Sequence, residues 1–106
     1  MKEGGSKLSI QDRIDFLQRG IIVHSYLYYE CDNSILVDKE YDSKCRELVS
    51  YKSAYPELWK TSEYYEQFGD QYNGATGMGL YQSLRKDQQE KIRAIAGILT
   101  NRVYYG

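Results

Sequence analysis

Apolar residues recur at helical spacing along the N-terminal third of the chain, and this periodicity constrains the fold more than any other feature. The stripe consists of Ile10, Ile14, Leu17, Ile21, His24, Tyr28 and Cys31, and it is widened by Phe16, Val23 and Leu27. Ser9 is a favourable N-cap residue, and Asp12 resembles the partner residue of a capping box. The turn-forming residues Asp32, Asn33 and Ser34 predict the end of the helix. A first helix is therefore predicted over residues 9–32, with its second half buried on more than one side.

A second apolar stripe follows after a short connection. Asp38 is a good N-cap and Pro56 stops a helix, so a helix is predicted over residues 38–54. Its inward positions are Tyr41, Cys45, Leu48, Val49 and the stem of Lys52. Two striped helices joined by a short loop favour an antiparallel hairpin. We expect Tyr41 and Leu48 to pack against the first helix.

The C-terminal half has a less regular pattern. Residues 57–83 have room for a helical turn, and the glycine-rich stretch GDQYNGATGMG within them predicts a loop. This stretch lacks the Gly-Lys-Ser/Thr ending of a phosphate-binding P-loop. A last helix is predicted from Leu84 to Val103. Its inward residues are Leu84, Ile92, Ile95, Ala96, Leu99 and Val103.

The predicted fold class is therefore all-α. Residues 1–106 are expected to form a single domain, with a hairpin over 9–58 and a loop plus C-terminal helix over 59–106.

Composition argues against several classes of function. The formal net charge of −1 provides no basic surface for phosphates, so direct nucleic-acid binding is not expected. No apolar run approaches the ~18 residues of a membrane span, so no membrane contact is expected. One histidine and two separated cysteines do not form a metal-ligand set. Cys31 and Cys45 are expected to be reduced thiols in a cytoplasmic protein.

The residues that suggest chemistry gather at the start of the second helix. Asp38, Tyr41 and Asp42 share one face of its first turn, and a closed hairpin would bring Tyr28 and Tyr29 beside that face. Asp38 is explained by capping alone. The carboxylate of Asp42 lies on the face that becomes apolar further along the helix. An ion pair with Arg46 would explain it structurally, and the alternative is that it faces a binding cleft.

Aromatic faces combined with carboxylates suit a flat cationic ring that carries a sugar. The rings attract the cation, and the carboxylates accept hydrogen bonds from ribose hydroxyls. A nicotinamide nucleotide has this chemistry. The residues alone leave a second interpretation open, in which a tyrosine-rich hairpin carries capping and surface acids without a ligand.

The stretch from His24 to Leu58, HSYLYYECDNSILVDKEYDSKCRELVSYKSAYPEL, resembles the N-terminal helical domain Ia of NAD-dependent bacterial DNA ligases. That family has a His-x-Tyr-x-Tyr-[Tyr/His] helix end, an Asp-[Asn/Ala]-Pro loop, Asp-x-Glu-Tyr-Asp, an Arg-Glu-Leu helix and a closing His-Pro-Glu-Leu. The same order and spacing occur here. Two positions differ, because Ser34 replaces the loop proline and Tyr55 replaces the histidine before the last proline.

The resemblance implies a binding site for the nicotinamide mononucleotide half of NAD. The residues that occupy its ligand-contacting positions are Tyr28, Tyr29, Asp38, Tyr41 and Asp42. His24 and Arg46 are further candidates for ligand contact, although a packed role is favoured for His24. The family also needs a nucleotidyltransferase domain with a Lys-x-Asp-Gly nucleophile, a motif that these 106 residues do not contain.

The leading functional hypothesis is therefore binding without catalysis. A nicotinamide-type nucleotide such as NMN, NAD or an NAD-derived molecule is the expected partner, and no cofactor is expected to be required. The resemblance to small phage-encoded proteins suggests an accessory or anti-defence role. The alternative is a docking or decoy module that contacts a host ligase or another nucleotide enzyme. Hydrolysis of NAD by Asp38 and Asp42 is a less favoured third hypothesis.

Overall fold

The computed structural model describes residues 9–31, 38–74 and 79–105, apart from the side chains of Asp38 and of residues 100–105. Within these residues the chain forms helices and no strand, so the predicted all-α fold class is confirmed. The helices are α1 (Ile10–Glu30), α2 (Asp38–Ala54), α3 (Pro56–Lys60), α4 (Tyr65–Phe68) and α5 (Lys86–Tyr105).

Helix α1 begins where its sequence signal predicts. The backbone N–H of Asp12 donates to the hydroxyl of Ser9 over 3.1 Å, so Ser9 is the N-cap. Such a cap satisfies one of the free backbone donors at the start of the helix. Cys31 is the C-cap residue, which agrees with the predicted end near residue 32. The predicted turn at Asp32, Asn33 and Ser34 lies outside the described residues.

Helices α1 and α2 form the predicted antiparallel hairpin. Arg13 near the start of α1 donates two hydrogen bonds to Glu47, at 3.0 and 3.1 Å, in the second half of α2. Ser25 near the end of α1 lies 2.9 Å from the hydroxyl of Tyr41, near the start of α2. Leu48 is fully buried between these two contacts. The predicted packing of Tyr41 and Leu48 against α1 is therefore confirmed.

The core lies between α1, α2 and the C-terminal helix. Its buried apolar residues are Ile14, Leu17, Ile21, Ile22, Val23, Leu27, Cys45, Leu48, Trp59, Tyr64, Phe68, Leu84, Ile92 and Ala96. Helix α5 packs along α1 and starts two residues after the predicted Leu84. The side chain of Val103, predicted to face inward, lies outside the described part of the structure.

A row of polar side chains on α1 holds the segment that contains α3 and α4. Gln11 donates to the carbonyl of Leu58 over 3.2 Å. Asp15 accepts the backbone N–H of Glu63 over 2.9 Å. Gln18, completely buried, donates to Ser62 over 2.9 Å and accepts the backbone N–H of Tyr64 over 3.1 Å. These long-range bonds order a segment in which the sequence predicts only a helical turn.

Three residues of the predicted apolar stripe of α1 are exposed, so that part of the prediction is wrong. Phe16 is 49% exposed and its ring is approached by the guanidinium of Arg13, 5.5 Å from the ring centre, instead of by another helix. Tyr28 and Cys31 are exposed at the end of α1, where the helix extends beyond the core. Val23 and Leu27 are buried as predicted, because α5 packs against α1 as well.

Candidate functional site

The candidate site lies where the end of α1 meets the start of α2, and Tyr41 is its most ordered side chain. The hydroxyl of Ser25 donates to the carbonyl of Ile21 over 2.8 Å, one helical turn earlier. Because that donation uses the single hydrogen of Ser25, the 2.9 Å contact between Ser25 and Tyr41 has Tyr41 as its donor. The phenol of Tyr41 is therefore fixed against α1, and the free lone pairs of its oxygen can still accept a hydrogen bond.

Burial disfavours ionisation of the Tyr41 phenol. Desolvation is the main cause that raises the pKa of Tyr41 to about 12, and the nearby Cys45 and Tyr29 act in the same direction. The hydrogen bond with Ser25 acts in the opposite direction. The site thus offers an uncharged hydroxyl at neutral pH.

Two exposed tyrosines form the outer part of the candidate site. The rings of Tyr28 and Tyr29 have centroids 4.8 Å apart and meet edge to face at 88°. Tyr28 is 56% exposed and Tyr29 is 41% exposed. Tyr29 is also close enough to Tyr41 to influence its pKa. The structure therefore brings Tyr29 near Tyr41, and it leaves exposed aromatic surface on Tyr28 and Tyr29.

The carboxylate of Asp42 is placed differently from the prediction. Asp42 follows Tyr41 on α2 and is exposed, so the expectation that it faces a cleft is wrong for the free protein. A step of one residue turns a helical side chain by about 100°, which carries Asp42 away from the packed face that holds Tyr41. Among the described residues no ion pair joins Asp42 to the exposed Arg46. The side chain of Asp38 lies outside the described residues.

His24 lies on the other side of the hairpin contact, facing Glu40 and Lys44 of α2. Its ring is half-buried, and its Nδ1 atom is buried without a hydrogen-bond partner in the described part of the chain. Desolvation, assisted by the charge of Lys44 and opposed by Glu40, lowers the pKa of His24. The imidazole is therefore neutral near pH 7, and it belongs to the helix interface more than to the open face.

Two further residues lie at this face: Cys45, which was predicted as an inward position of α2, and Tyr72, for which no sequence pattern predicts a place here. Cys45 is buried one turn after Tyr41, and Tyr72 reaches it from the segment that follows α4. Burial is the main cause that raises the pKa of the Cys45 thiol. Desolvation is also the main cause that raises the pKa of Tyr72, and the nearby Cys45 and Tyr41 act in the same direction. Periodicity cannot predict this contact, because α3 and α4 separate the two residues along the chain.

Residues 9–31, 38–74 and 79–105 contain no group of His, Cys, Asp and Glu side chains arranged to hold a metal ion. Cys31 and Cys45 are both free thiols, as expected. None of the helices in the described ranges combines the length and the apolar character needed to cross a membrane.

The fold and the candidate site together define an all-α domain: a helical hairpin with paired tyrosines and an exposed acidic residue at one end. Residues 7–62 match the model of the family described as the DNA ligase-like, N-terminal NAD+-binding domain. This match covers more than half of the 106 residues, so the chain belongs to that family. The resemblance seen over residues 24–58 is thereby confirmed, and the match extends it to the start of α1.

The relatives found are DNA ligases. The enzyme of Desulforudis audaxviator (strain MP104C) is 46% identical over 46 residues, which cover 43% of this chain and 7% of that protein. The enzyme of Endomicrobium trichonymphae is 42% identical over 48 residues, which cover 45% of this chain and 7% of that protein. The chain therefore spans less than a tenth of the length of these curated relatives. No solved structure matches the chain.

Proposed function

We propose that this chain binds the nicotinamide mononucleotide part of NAD, or a closely related nucleotide, at the open end of the α1–α2 hairpin. One observation carries the proposal: Tyr28 and Tyr29 form an exposed aromatic pair, and Tyr29 lies near the phenol of Tyr41, within the region that matches an NAD+-binding domain. The same end of the hairpin carries the exposed carboxylate of Asp42.

The chemistry of these groups fits a pyridinium nucleotide. The faces of Tyr28 and Tyr29 attract a cationic ring through their quadrupoles. The carboxylate of Asp42 can accept a hydrogen bond from a ribose hydroxyl and offset the positive charge of the ring. The phenol of Tyr41 is uncharged at neutral pH, as any tyrosine is, and burial raises its pKa further, to about 12; its oxygen can accept a hydrogen bond from the ligand.

Binding without catalysis is part of the proposal. The family match is to a nucleotide-binding domain, and residues 63–106 lie outside it. The proposed setting is the cytoplasm of a bacterial host, where an accessory or anti-defence protein of a phage would sequester NAD or an NAD-derived molecule. That setting depends on the resemblance to small phage-encoded proteins.

A titration with three nucleotides tests the proposal. NMN and NAD contain the nicotinamide riboside, and ADP-ribose does not. We expect NMN and NAD to raise the melting temperature and ADP-ribose to leave it unchanged. A ligand at a hundred times its Kd stabilises a protein by about 2.7 kcal/mol, so the effect is measurable. A flat response to all three nucleotides would contradict the proposal.

Asp42→Ala tests the carboxylate directly. A charge-assisted hydrogen bond contributes about 1.5–3 kcal/mol, and the exposure of Asp42 in the free protein favours the lower end. We therefore expect the Kd for NMN in calorimetry to rise by roughly tenfold or more, with little change in stability. Glu90→Ala is the matched control, since Glu90 is an exposed carboxylate on α5. Unchanged NMN affinity in Asp42→Ala would mean that the inherited site is vestigial, and it would favour a docking function instead.

A second candidate function is docking onto a host ligase or another nucleotide enzyme. The exposed aromatic surface of Tyr28 and Tyr29 favours it, because tyrosines are enriched in protein interfaces. Purified host DNA ligase and the double variant Tyr28→Ser/Tyr29→Ser distinguish the two functions. Docking would be supported if the parent protein binds the ligase, the double variant does not, and nucleotides leave the melting temperature unchanged.

A further inference from the structure

The last turn of α1 is held by two contacts from residues that lie outside the family match. Gln82 donates to the carboxylate of Glu30, the last residue of the helix, over 2.7 Å. The ring of Tyr81 packs on that of Tyr26, with centroids 4.5 Å apart and an interplanar angle of 46°. Tyr26 and Glu30 are four residues apart and therefore share one face of α1. We call these two contacts, Tyr81 on Tyr26 and Gln82 on Glu30, the clamp.

Tyr81 is itself fixed by α5, through both its side chain and its backbone. Its hydroxyl accepts a hydrogen bond from Arg93 over 2.6 Å, and its carbonyl oxygen accepts one from the side chain of Gln89 over 3.1 Å. The same carbonyl also accepts the backbone N–H of Leu84 over 3.1 Å, and the side chain of Leu84 is buried in the core. The clamp therefore connects α5 to the last turn of α1.

The clamp acts beside the tyrosines of the proposed site. Tyr29 follows Tyr26 by three residues, so the two side chains are neighbours on the surface of the helix. Tyr28 meets Tyr29 edge to face at 4.8 Å, and this pair lies in the turn that the clamp holds. The final carbonyls of a helix lack partners within it, so a last turn frays unless other contacts hold it. Loss of the clamp would therefore release the turn that presents both tyrosines.

We propose that Tyr81 is a positioning residue for the pair Tyr28 and Tyr29, and that it acts by packing on Tyr26 and so preventing the last turn of α1 from fraying. Tyr81 orders this turn before a ligand arrives, which lowers the conformational entropy that binding costs. Helix α5 and the segment before it thereby tune the affinity of the site. This inference rests on the proposed function only for its effect on binding, because the order of the turn is a property of the free protein.

Tyr81→Ala removes the ring of the clamp, and backbone hydrogen exchange in the free protein measures the result. The amides of Tyr28 and Tyr29 should exchange about 2- to 10-fold faster, the factor that corresponds to the loss of one aromatic pair. Amides in the last turn of a helix exchange by fraying, a local opening that does not follow the global stability of the protein. A variant that only lowered the global stability would therefore leave these two rates unchanged.

Two further variants make the test specific. Tyr55→Ala is the matched control, because it breaks another tyrosine pair, with Tyr51 at 6.2 Å, at the opposite end of the hairpin. It should leave the exchange of the last turn of α1 unchanged. Tyr81→Phe keeps the ring that packs on Tyr26 and loses only the hydrogen bond from Arg93. It should restore most of the slow exchange.

Calorimetry with NMN then connects the order of the turn to binding. The Kd should rise by the same factor in Tyr81→Ala and stay near the parent value in Tyr81→Phe and Tyr55→Ala. Unchanged exchange at Tyr28 and Tyr29 in Tyr81→Ala, equal acceleration in Tyr55→Ala, or faster exchange with an unchanged Kd would overturn the inference. Faster exchange in Tyr81→Ala when the parent protein binds no NMN would support the ordering of the turn by Tyr81 and contradict only the proposed function.

Discussion

Gln18 offers a sharp test of how the C-terminal half is attached to the hairpin. Its amide is completely buried and makes two hydrogen bonds, as donor to Ser62 and as acceptor from the backbone N–H of Tyr64. Gln18→Leu keeps a side chain of similar size but removes both bonds. The N–H of Tyr64 is then left in the core without an acceptor. Ser62 keeps its own donation to the carbonyl of Trp59.

The expected change in the free energy of unfolding follows from the loss of these two hydrogen bonds. A buried donor without a partner costs about 1–3 kcal/mol, and a lost neutral hydrogen bond costs about 1 kcal/mol. The more apolar leucine offsets part of this sum, so we expect Gln18→Leu to lower the free energy of unfolding by about 2–3 kcal/mol. For a domain near this size each kcal/mol corresponds to roughly 4–8 °C in Tm. The expected shift is therefore about 10–20 °C.

Urea and thermal unfolding followed by circular dichroism measure this effect. Gln71→Leu is the control, because it makes the same chemical change at an exposed position, where about 0.5 kcal/mol or less is expected. The reasoning would be refuted if Gln18→Leu were as stable as Gln71→Leu. That result would mean that the N–H of Tyr64 finds another acceptor at no cost.

Two further predictions concern α2. Leu48 is fully buried in the hairpin interface. Leu48→Ala should therefore lower the free energy of unfolding by about 2–5 kcal/mol in the same urea experiment. Leu48→Met keeps the volume of the side chain and should lower it by less than about 1.5 kcal/mol. At pH 8 a chromogenic disulfide reagent should react quickly with the exposed thiol of Cys31 and slowly with Cys45, whose pKa is raised by burial. The pKa of Cys45 is raised only in the folded state, so ionisation of this thiol favours unfolding. The stability that the neutral thiol contributes is therefore complete below the pKa of an unfolded thiol, about 8.5. It is lost as the pH rises above that value. Equal reaction rates for the two thiols in the native protein would contradict the prediction that the buried thiol of Cys45 reacts more slowly than that of Cys31.

The hairpin was predictable because its determinants are local. Ser9 caps α1 and Pro56 follows the end of α2, so both helices have the bounds that these residues indicate, within one or two positions. Periodicity also placed Leu48 correctly in the interface. It failed for Phe16, because helical spacing shows that residues share a face but does not show which neighbour covers that face.

The surroundings of the candidate site were not predictable, because they depend on contacts between distant segments. Tyr72 is held by a cluster with Trp59 and Phe68, and no spacing rule connects these residues to Cys45 on α2. The exposure of Asp42, in contrast, could have been predicted from the sequence. Asp42 directly follows Tyr41, and one residue along a helix turns the side chain by about 100°. The roles of these residues in binding a ligand stay predictions.

The end of α1 that carries the proposed site depends on residues outside the family match. Glu30, the last residue of α1, accepts a hydrogen bond from Gln82 over 2.7 Å. One turn earlier the ring of Tyr26 lies 4.5 Å from that of Tyr81, whose hydroxyl is bound by Arg93 of α5 over 2.6 Å. These contacts are exposed or partly exposed, so each is individually weak. They nevertheless act on the last turn of a helix, which otherwise frays because its final carbonyls lack partners within the helix. The conformation of the tyrosines in that turn therefore depends on residues beyond the hairpin. In an isolated hairpin these tyrosines would be less ordered, so binding a ligand would cost more conformational entropy.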